Sequence, residues 1–417
     1  MDFFRGIAMF IILLAHTPGN PWTRWIPARF GFSDATEIFV FCSGMASALA
    51  FGAIFERRGW LMGTVRTAHR VWQVYWAHIG MFVVIAMSML WLNTLGLERD
   101  YLGQLNLIPF FRNPEGNLLG LMTLTYVPNY FDILPMYLVI LCMIPIVMGL
   151  GRIDVRLAFV FVALLWAAAS VGRFADEGWT GLAPLAAHLE FLHLPAQYWF
   201  EPPNNTRSWF FNPFTWQLVF FTGFMLMKGW IPAPPVRRWL IVMAALILLV
   251  SFPFSHIGIR YEEFMWGQIK PEDARGVIQL RVAGREWLTK TDFGILRYIH
   301  FLALAYLAWV AVGPLGSRLN AGVWWPRVVT VIRKVGQQSL AVFLTSMVLA
   351  RFMGVAFDLG GKGILYVTFV NLCGFAILIG TAYFVGWIKG NPWKGDPAAK
   401  PEKPSAGFAA APREQTA

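Results

Sequence analysis

Charged residues are scarce in this chain: Asp, Glu, Lys and Arg make up 14% of its 417 residues, against 57% hydrophobic types. With a mean hydropathy of +0.54, it has too little polar material to cover its apolar residues as a soluble domain. The class that remains is an all-α polytopic membrane helix bundle. Cysteine is scarcer still, and the three present, Cys42, Cys142 and Cys373, all fall in apolar segments without paired spacing. That excludes a disulfide framework and a zinc site, so the three read as packing residues and no metal ligation is expected. The first apolar segment has neither a basic n-region nor an A-x-A cleavage site, so it is expected to stay in the membrane.

Hydropathy marks about ten spans, at residues 4–17, 36–55, 71–95, 130–150, 157–172, 213–230, 239–257, 297–316, 338–356 and 363–388. Lys and Arg concentrate in one set of connecting loops: Arg57, Arg58, Arg66 and Arg70, then Arg152 and Arg156, then Lys228, Arg237 and Arg238, then Arg318, Arg327, Arg333 and Lys334. Those loops should be cytoplasmic, and with them both termini. The net charge of +11 then follows from membrane topology and calls for no nucleic-acid partner. The Pro-, Ala- and Lys-rich end, 391–417, reads as a disordered cytoplasmic tail, leaving 1–390 as the transmembrane domain.

Arg5 and His16 stand eleven residues apart in the first span. At about 100° per residue they share one helical face, about 16 Å apart along it. Ionisable groups inside a bilayer mark function by default, and histidine is the side chain suited to moving protons near neutral pH. The plainer reading is an Arg anchored at the headgroups and a His satisfied by a neighbouring helix. His78 and His300 are further intramembrane histidines, without a partner at defined spacing. Three outer loops are long, at about 96–129, 173–212 and 258–296, and loops of that length usually carry function. The second mixes aromatic planes with amides up to Trp216, a combination that suits sugars and equally an interfacial aromatic belt.

The Arg-x10-His spacing resembles the signature of the acyltransferase-3 superfamily of membrane acyltransferases. Glu37-Ile-Phe-Val-Phe-Cys-Ser43-Gly44 stands where that family opens its second helix with an acid and a Phe-Val-Leu-Ser-Gly-like phrase; Glu replaces Asp, and Asp34 lies three residues earlier. Arg66-Thr-Ala-His-Arg70-Val-Trp-Gln-Val-Tyr75-Trp resembles its basic approach to the third helix, with Gln73 in place of a proline. Pro213-Phe-Thr-Trp216-Gln-Leu and Pro128-Asn-Tyr-Phe-Asp132-Ile-Leu each half match a later Pro-x-x-Trp motif. The stretch from Pro21 to Glu37 and the phrase starting at Trp216 are similar to the OpgC-type branch, which adds succinyl groups to osmoregulated periplasmic glucans.

The resemblance implies an O-acyltransferase of the bacterial inner membrane, with no permanently bound cofactor. Its substrates would be acyl-CoA, as succinyl-CoA, from the cytoplasm and a periplasmic glucan acceptor; oligomeric state is not legible. His16 would be the general base, with Glu37 or Asp34 fixing its tautomer and Arg5 on the same face; a covalent acyl-histidine is the other chemical route. Arg66 and Arg70, with Arg58 nearby, would hold the donor's phosphates, unless they are only positive-inside anchors. Trp216, Asp132 and His300 are expected on the substrate side. Arg351, in the ninth span at the depth of His16, would meet a succinyl carboxylate, or else pair with Asp132, Glu37 or Asp358. A transporter or flippase for a glycan or small anion is the alternative, although no convincing internal repeat is present.

Overall fold

The computed structural model describes residues 1–96, 99–176, 179–197, 207–259 and 277–394. Its principal helices are α1 (Asp2–His16), α2 (Ala35–Ser47), α3 (Ala53–Asn93), α4 (Ile133–Ile153), α5 (Val155–Asp176), α6 (Pro213–Lys228), α7 (Arg238–Ser251), α8 (Ile295–Val312), α9 (Trp325–Gln337), α10 (Ser339–Gly360) and α11 (Ile364–Lys389). Each expected span overlaps one of them, except that 36–55 runs from α2 into the start of α3. Among the described residues six helical segments are long and apolar enough to cross a membrane, the α2–α3 run counting as one of 59 residues. The protein is therefore a membrane protein. Segments α1, α6 and α7, at 15, 16 and 14 residues, are shorter than the roughly 20 residues a straight crossing takes. The expected tail beyond Lys394 and the aromatic stretch 198–206 lie outside the described residues.

Local chemistry sets the helix ends. Asp2 places an acid in the first turn of α1, where the helix dipole favours it. Thr17 closes that helix with a hydroxyl bond to the Leu13 carbonyl at 2.7 Å, and Pro18 cannot extend it. Asn212 caps α6, its side chain accepting from the Phe214 amide at 3.0 Å, with Pro213 at the first helical position. Gly59 interrupts α3 with φ +83, a conformation glycine adopts without strain; this kinks the first residues of α3 away from the rest of the helix. α9 was not expected: its residues read as a basic loop. It is an amphipathic helix that buries Val329 and Val335 and packs along α1.

α1 is central, enclosed by α2, α9 and α10. The crossing of α2 with α6 brings two backbones into direct contact. There a Cβ on Gly44 would sit 1.9 Å from the Phe220 carbonyl oxygen, and one on Gly223 2.3 Å from the Phe41 carbonyl oxygen. Without a hydrophobic force between helices in lipid, such backbone contact carries much of the association. Cys42 is buried in this region, whereas Cys142 and Cys373 are exposed, so the latter two face outward instead of packing the core.

The crossing predicts an asymmetric response to added methyl groups. Gly44→Ala forces two backbones apart and should lower stability by about 1 to 3 kcal/mol. Gly80→Ala, at a site with nothing within 4 Å, should be neutral or slightly stabilising. Thermal unfolding of both variants in detergent checks this; equal midpoints would mean that the crossing yields.

Candidate functional site

The face of α1 carries two chemically different ends. At the first, Arg5 is buried with its Nη2 on the Asp2 carboxylate at 2.7 Å and its Nη1 donating to the Ser339 hydroxyl at 3.3 Å. Its Nε is buried without a partner. Arg5 lines a cavity of about 200 Å³ together with Ser43, Arg66, Arg70, Gln73 and Ser339. Arg66 and Arg70 lie one helical turn apart on α3, so both reach the same space. Arg70 donates to the Gln73 side chain at 3.2 Å. Arg58 is exposed on the stretch before the Gly59 break and does not line this cavity. The kink carries it off the face of Arg66, and the third cation is Arg5 from α1.

At the other end, His16 Nδ1 lies 2.9 Å from the Ile12 carbonyl oxygen. A carbonyl only accepts, so Nδ1 carries the proton and Nε2 of the neutral ring keeps its lone pair. The tautomer is thus set by the helix's own main chain, which corrects the expectation that Glu37 or Asp34 sets it. The imidazole meets the Tyr130 ring edge-on at a centroid distance of 5.2 Å. On Tyr130 lies the Arg351 guanidinium, 3.8 Å from the ring centroid, with Nη2 reaching the His16 carbonyl at 3.4 Å. Arg351 therefore does stand beside His16, and its expected pairing with Asp132, Glu37 or Asp358 does not occur.

Glu37 and Asp34 are engaged elsewhere. They form a capping box on α2: the Asp34 carboxylate accepts from the Thr36 amide at 2.7 Å and Glu37 from the Asp34 amide at 2.8 Å. Glu37, wholly buried, also takes Arg297 from α8, at 2.7 Å from Nε and 2.6 Å from Nη2. Lys290 reaches Asp34 at 2.6 Å, with Arg297 behind it at 3.7 Å. Burial alone would raise the Asp34 carboxyl, but the Lys290 and Arg297 cations outweigh it and hold the group well below the usual carboxylate range. The fields of Lys290, Arg351 and Asp34 all reach His16.

Trp216 is fully buried and donates from its indole to the Lys290 carbonyl at 2.9 Å, so it offers no face to a sugar. It helps pin the segment that delivers Lys290. The Asn212 amide bonds the Thr291 carbonyl at 3.1 Å, and Arg173 pairs with Asp292 at 2.9 Å. Asp132 is likewise buried and accepts from the Phe210 amide at 3.1 Å, holding a loop in place of a substrate. His300 shares a hydrogen bond with the Ser33 hydroxyl at 2.8 Å and borders a separate, largely apolar cavity of about 450 Å³ with Phe32 and Arg281. It belongs to neither end of the α1 face. His78 is buried with both ring nitrogens unpartnered; no physical account of it follows from its surroundings. Sequence reading missed Lys290, Arg297 and Tyr130. Lys290 and Arg297 close around Asp34 and Glu37 from some 260 positions away, and the available signal was two cations seven residues apart at the entry to one expected span.

The charge cluster has a definite pH signature. A depressed carboxyl contributes stability that is complete above the unfolded value, about pH 4, and is lost only as pH falls through the lower native one. Asp34→Asn should therefore lower stability throughout the neutral range, by about 1 to 3 kcal/mol, because Lys290 loses its partner while Arg297 keeps Glu37. The gap to the wild type should narrow only below about pH 4. Unfolding midpoints of both proteins across pH test this, and a gap that closes near neutrality would refute it.

No curated protein and no solved structure matches the chain. A family model described as OpgC protein does match, over residues 1–390. Covering all but the final stretch of the sequence, that match makes the chain a member of the OpgC family.

Proposed function

We propose that the protein is a membrane O-acyltransferase of the acyltransferase-3 type, moving an acyl group from cytoplasmic acyl-CoA to a hydroxyl of a periplasmic glucan. The reading takes ten spans, both termini in the cytoplasm and the bacterial inner membrane as its setting. The observation that carries it is the polarity of α1. One helix presents Arg5 to a three-arginine cavity and, eleven residues on, an imidazole whose Nε2 is left as an acceptor. Family membership supports the glucan acceptor.

The chemistry follows from this layout. Arg5, Arg66 and Arg70 hold the phosphates of the donor by charge-assisted hydrogen bonds. The narrow pantetheine arm extends along α1, over a helical length of about 16 Å, bringing the thioester to His16. The acceptor hydroxyl gives its proton to Nε2 as its oxygen attacks the thioester carbonyl. The new C–O bond forms, the C–S bond breaks, and the departing thiolate takes the proton back from the imidazolium. The products are the ester and free CoA thiol, and the histidine is regenerated. The positive charge that His16 acquires in transit faces the field of Asp34. No acyl-enzyme is required.

Purified protein in vesicles, with labelled acyl-CoA on one side and a β-glucan oligosaccharide on the other, tests the reading. Label joined covalently to the glucan is the expected result; passage of either compound unchanged would make the protein a carrier and overturn it. Within that assay His16→Ala should lower kcat by about 10² to 10⁴-fold in a protein that still folds. Arg66→Ala and Arg70→Ala should each raise KM for acyl-CoA by about 10- to 100-fold. KM for the glucan should stay where it is.

A further inference from the structure

Helices α2 and α8 leave a cleft between them. They meet where Glu37 takes Arg297 at 2.6 Å and where the Phe41 and Phe301 rings cross edge-on at 5.3 Å. Toward the end where α1 begins, a cavity of about 490 Å³ opens between the two helices. Ile38, Phe41 and Met45 line it from α2, and Leu304, Ala308 and Val312 from α8; at spacings of three and four, each set is one helical stripe. From Phe301 to Val312 the α8 wall rises about 16 Å. That is the depth of one bilayer leaflet, half of a hydrocarbon core of about 30 Å. Trp309 is exposed at the rim, which puts the opening on the flank of the bundle.

One end of this apolar wall is polar. Arg333 of α9 and Asn320 line the cavity there, and both are exposed. Among the described residues no carboxylate pairs with Arg333; Asp2, the acid beside it on the lining, is committed to Arg5 at 2.7 Å. The segment Pro314–Asn320 turns beneath the cleft on Gly313 at φ +74 and Gly316 at φ +75, so neither of these lining positions puts a side chain across the mouth. The neighbouring start of α9 fixes the level of that mouth. Trp324, 72% exposed, carries the Arg327 guanidinium on its ring at 4.6 Å, and Trp325 touches Phe3 of the cavity lining at 6.2 Å. Exposed Trp beside Arg is the chemistry of the headgroup layer. The apolar wall then runs from headgroup depth into the hydrocarbon.

We propose that this cleft binds an anionic phospholipid from the leaflet on the side where α1 begins, with one acyl chain between α2 and α8 and the phosphate on Arg333. Lipid tails are as apolar as the wall, so the chain supplies fit and the cation supplies selectivity; basic groups between helices at headgroup level favour anionic headgroups. The site shares no lining residue with the cavity of Arg5, Arg66 and Arg70, which Phe39 and Ser43 face from another side of α2. A chain seated here packs below the Glu37–Arg297 pair and braces α8 against α2.

The test uses the full chain in detergent micelles containing phosphatidylglycerol or phosphatidylcholine with the same tails, one of them photoreactive. Phosphatidylglycerol should label the α2 and α8 walls at about fivefold lower concentration than phosphatidylcholine, and should raise the unfolding midpoint. Arg333→Gln should remove that preference and leave labelling by phosphatidylcholine unchanged, whereas Arg327→Gln, at a position outside the lining, should keep it. Ala308→Phe, or Ala305→Phe one turn away, fills the cleft and should abolish labelling of its walls by both lipids. Equal affinity for the two lipids in the wild type overturns the proposal, as does a preference that survives Arg333→Gln. Labelling no stronger in the cleft than on the exposed Phe369 and Leu372 of α11 also overturns it. So does displacement of the label by free coenzyme A, which would make the cleft a nucleotide pocket.

Discussion

A charge placed among apolar helices has to find its partner there, and the arrangement of this protein turns on that requirement. Asp34, Glu37, Lys290 and Arg297 satisfy one another in a group with as many cations as anions. Three parts of the chain meet in it: the start of α2, the segment before α8, and α8 itself. Removing a member leaves the others uncompensated, so the group behaves as a single fastening. The indole of Trp216 and the Arg173–Asp292 pair extend its hold into the adjoining loops. Its geometry also keeps Glu37 and Asp34 from touching His16, whose neighbours are instead the Ile12 carbonyl, the Tyr130 ring and the Arg351 guanidinium.

Against that saturated group stand two cations that the fold leaves incomplete. Arg5 and Arg351 each have a buried Nε without an acceptor, and they lie near opposite ends of α1, one in a cavity with two further arginines and the other beside the imidazole. Buried polar groups are nearly always satisfied, so unsatisfied ones at both ends of one helix face point to ligands that supply the missing acceptors. The two positions differ in kind. The first is a cluster of separate cations suited to several phosphates; the second is one fork on an aromatic plate, suited to a single carboxylate.

What the sequence disclosed was whatever a helix can encode by spacing. Arg5 with His16, Arg66 with Arg70, and the depth of Arg351 are statements about one helix at a time, and the structure brings these residues where their periodicity puts them. Asp34-x-x-Glu37 was legible too, as a capping box ahead of an apolar run, and that local reading accounts for the two acids better than a partnership with His16. Trp216 and Asp132 were singled out by half matches to a short motif, which says nothing of burial; both are buried, and each makes a main-chain hydrogen bond. Lys290 and Arg297 could not be assigned since their partners lie across the whole chain. Arg58 failed for a different reason: one glycine with positive φ changes which side chains share a face. α9 was lost because a helix lying along α1 needs only a narrow apolar stripe, which hydropathy averaging over its basic residues erases.

The bond from His16 to the Ile12 carbonyl has a consequence for how such a protein can vary. In a triad the residue that orients the histidine is a side chain, open to replacement, and its loss by a single codon change disables the base. Here the orienting group is a peptide carbonyl on the same helix, present whatever amino acid occupies position 12 provided the helix persists. The orientation of the imidazole is thereby shielded from drift in its neighbours. Positions 130 and 351 have no such shelter, so heritable variation has freer play in the ring and guanidinium beside His16 than in the bond that orients it.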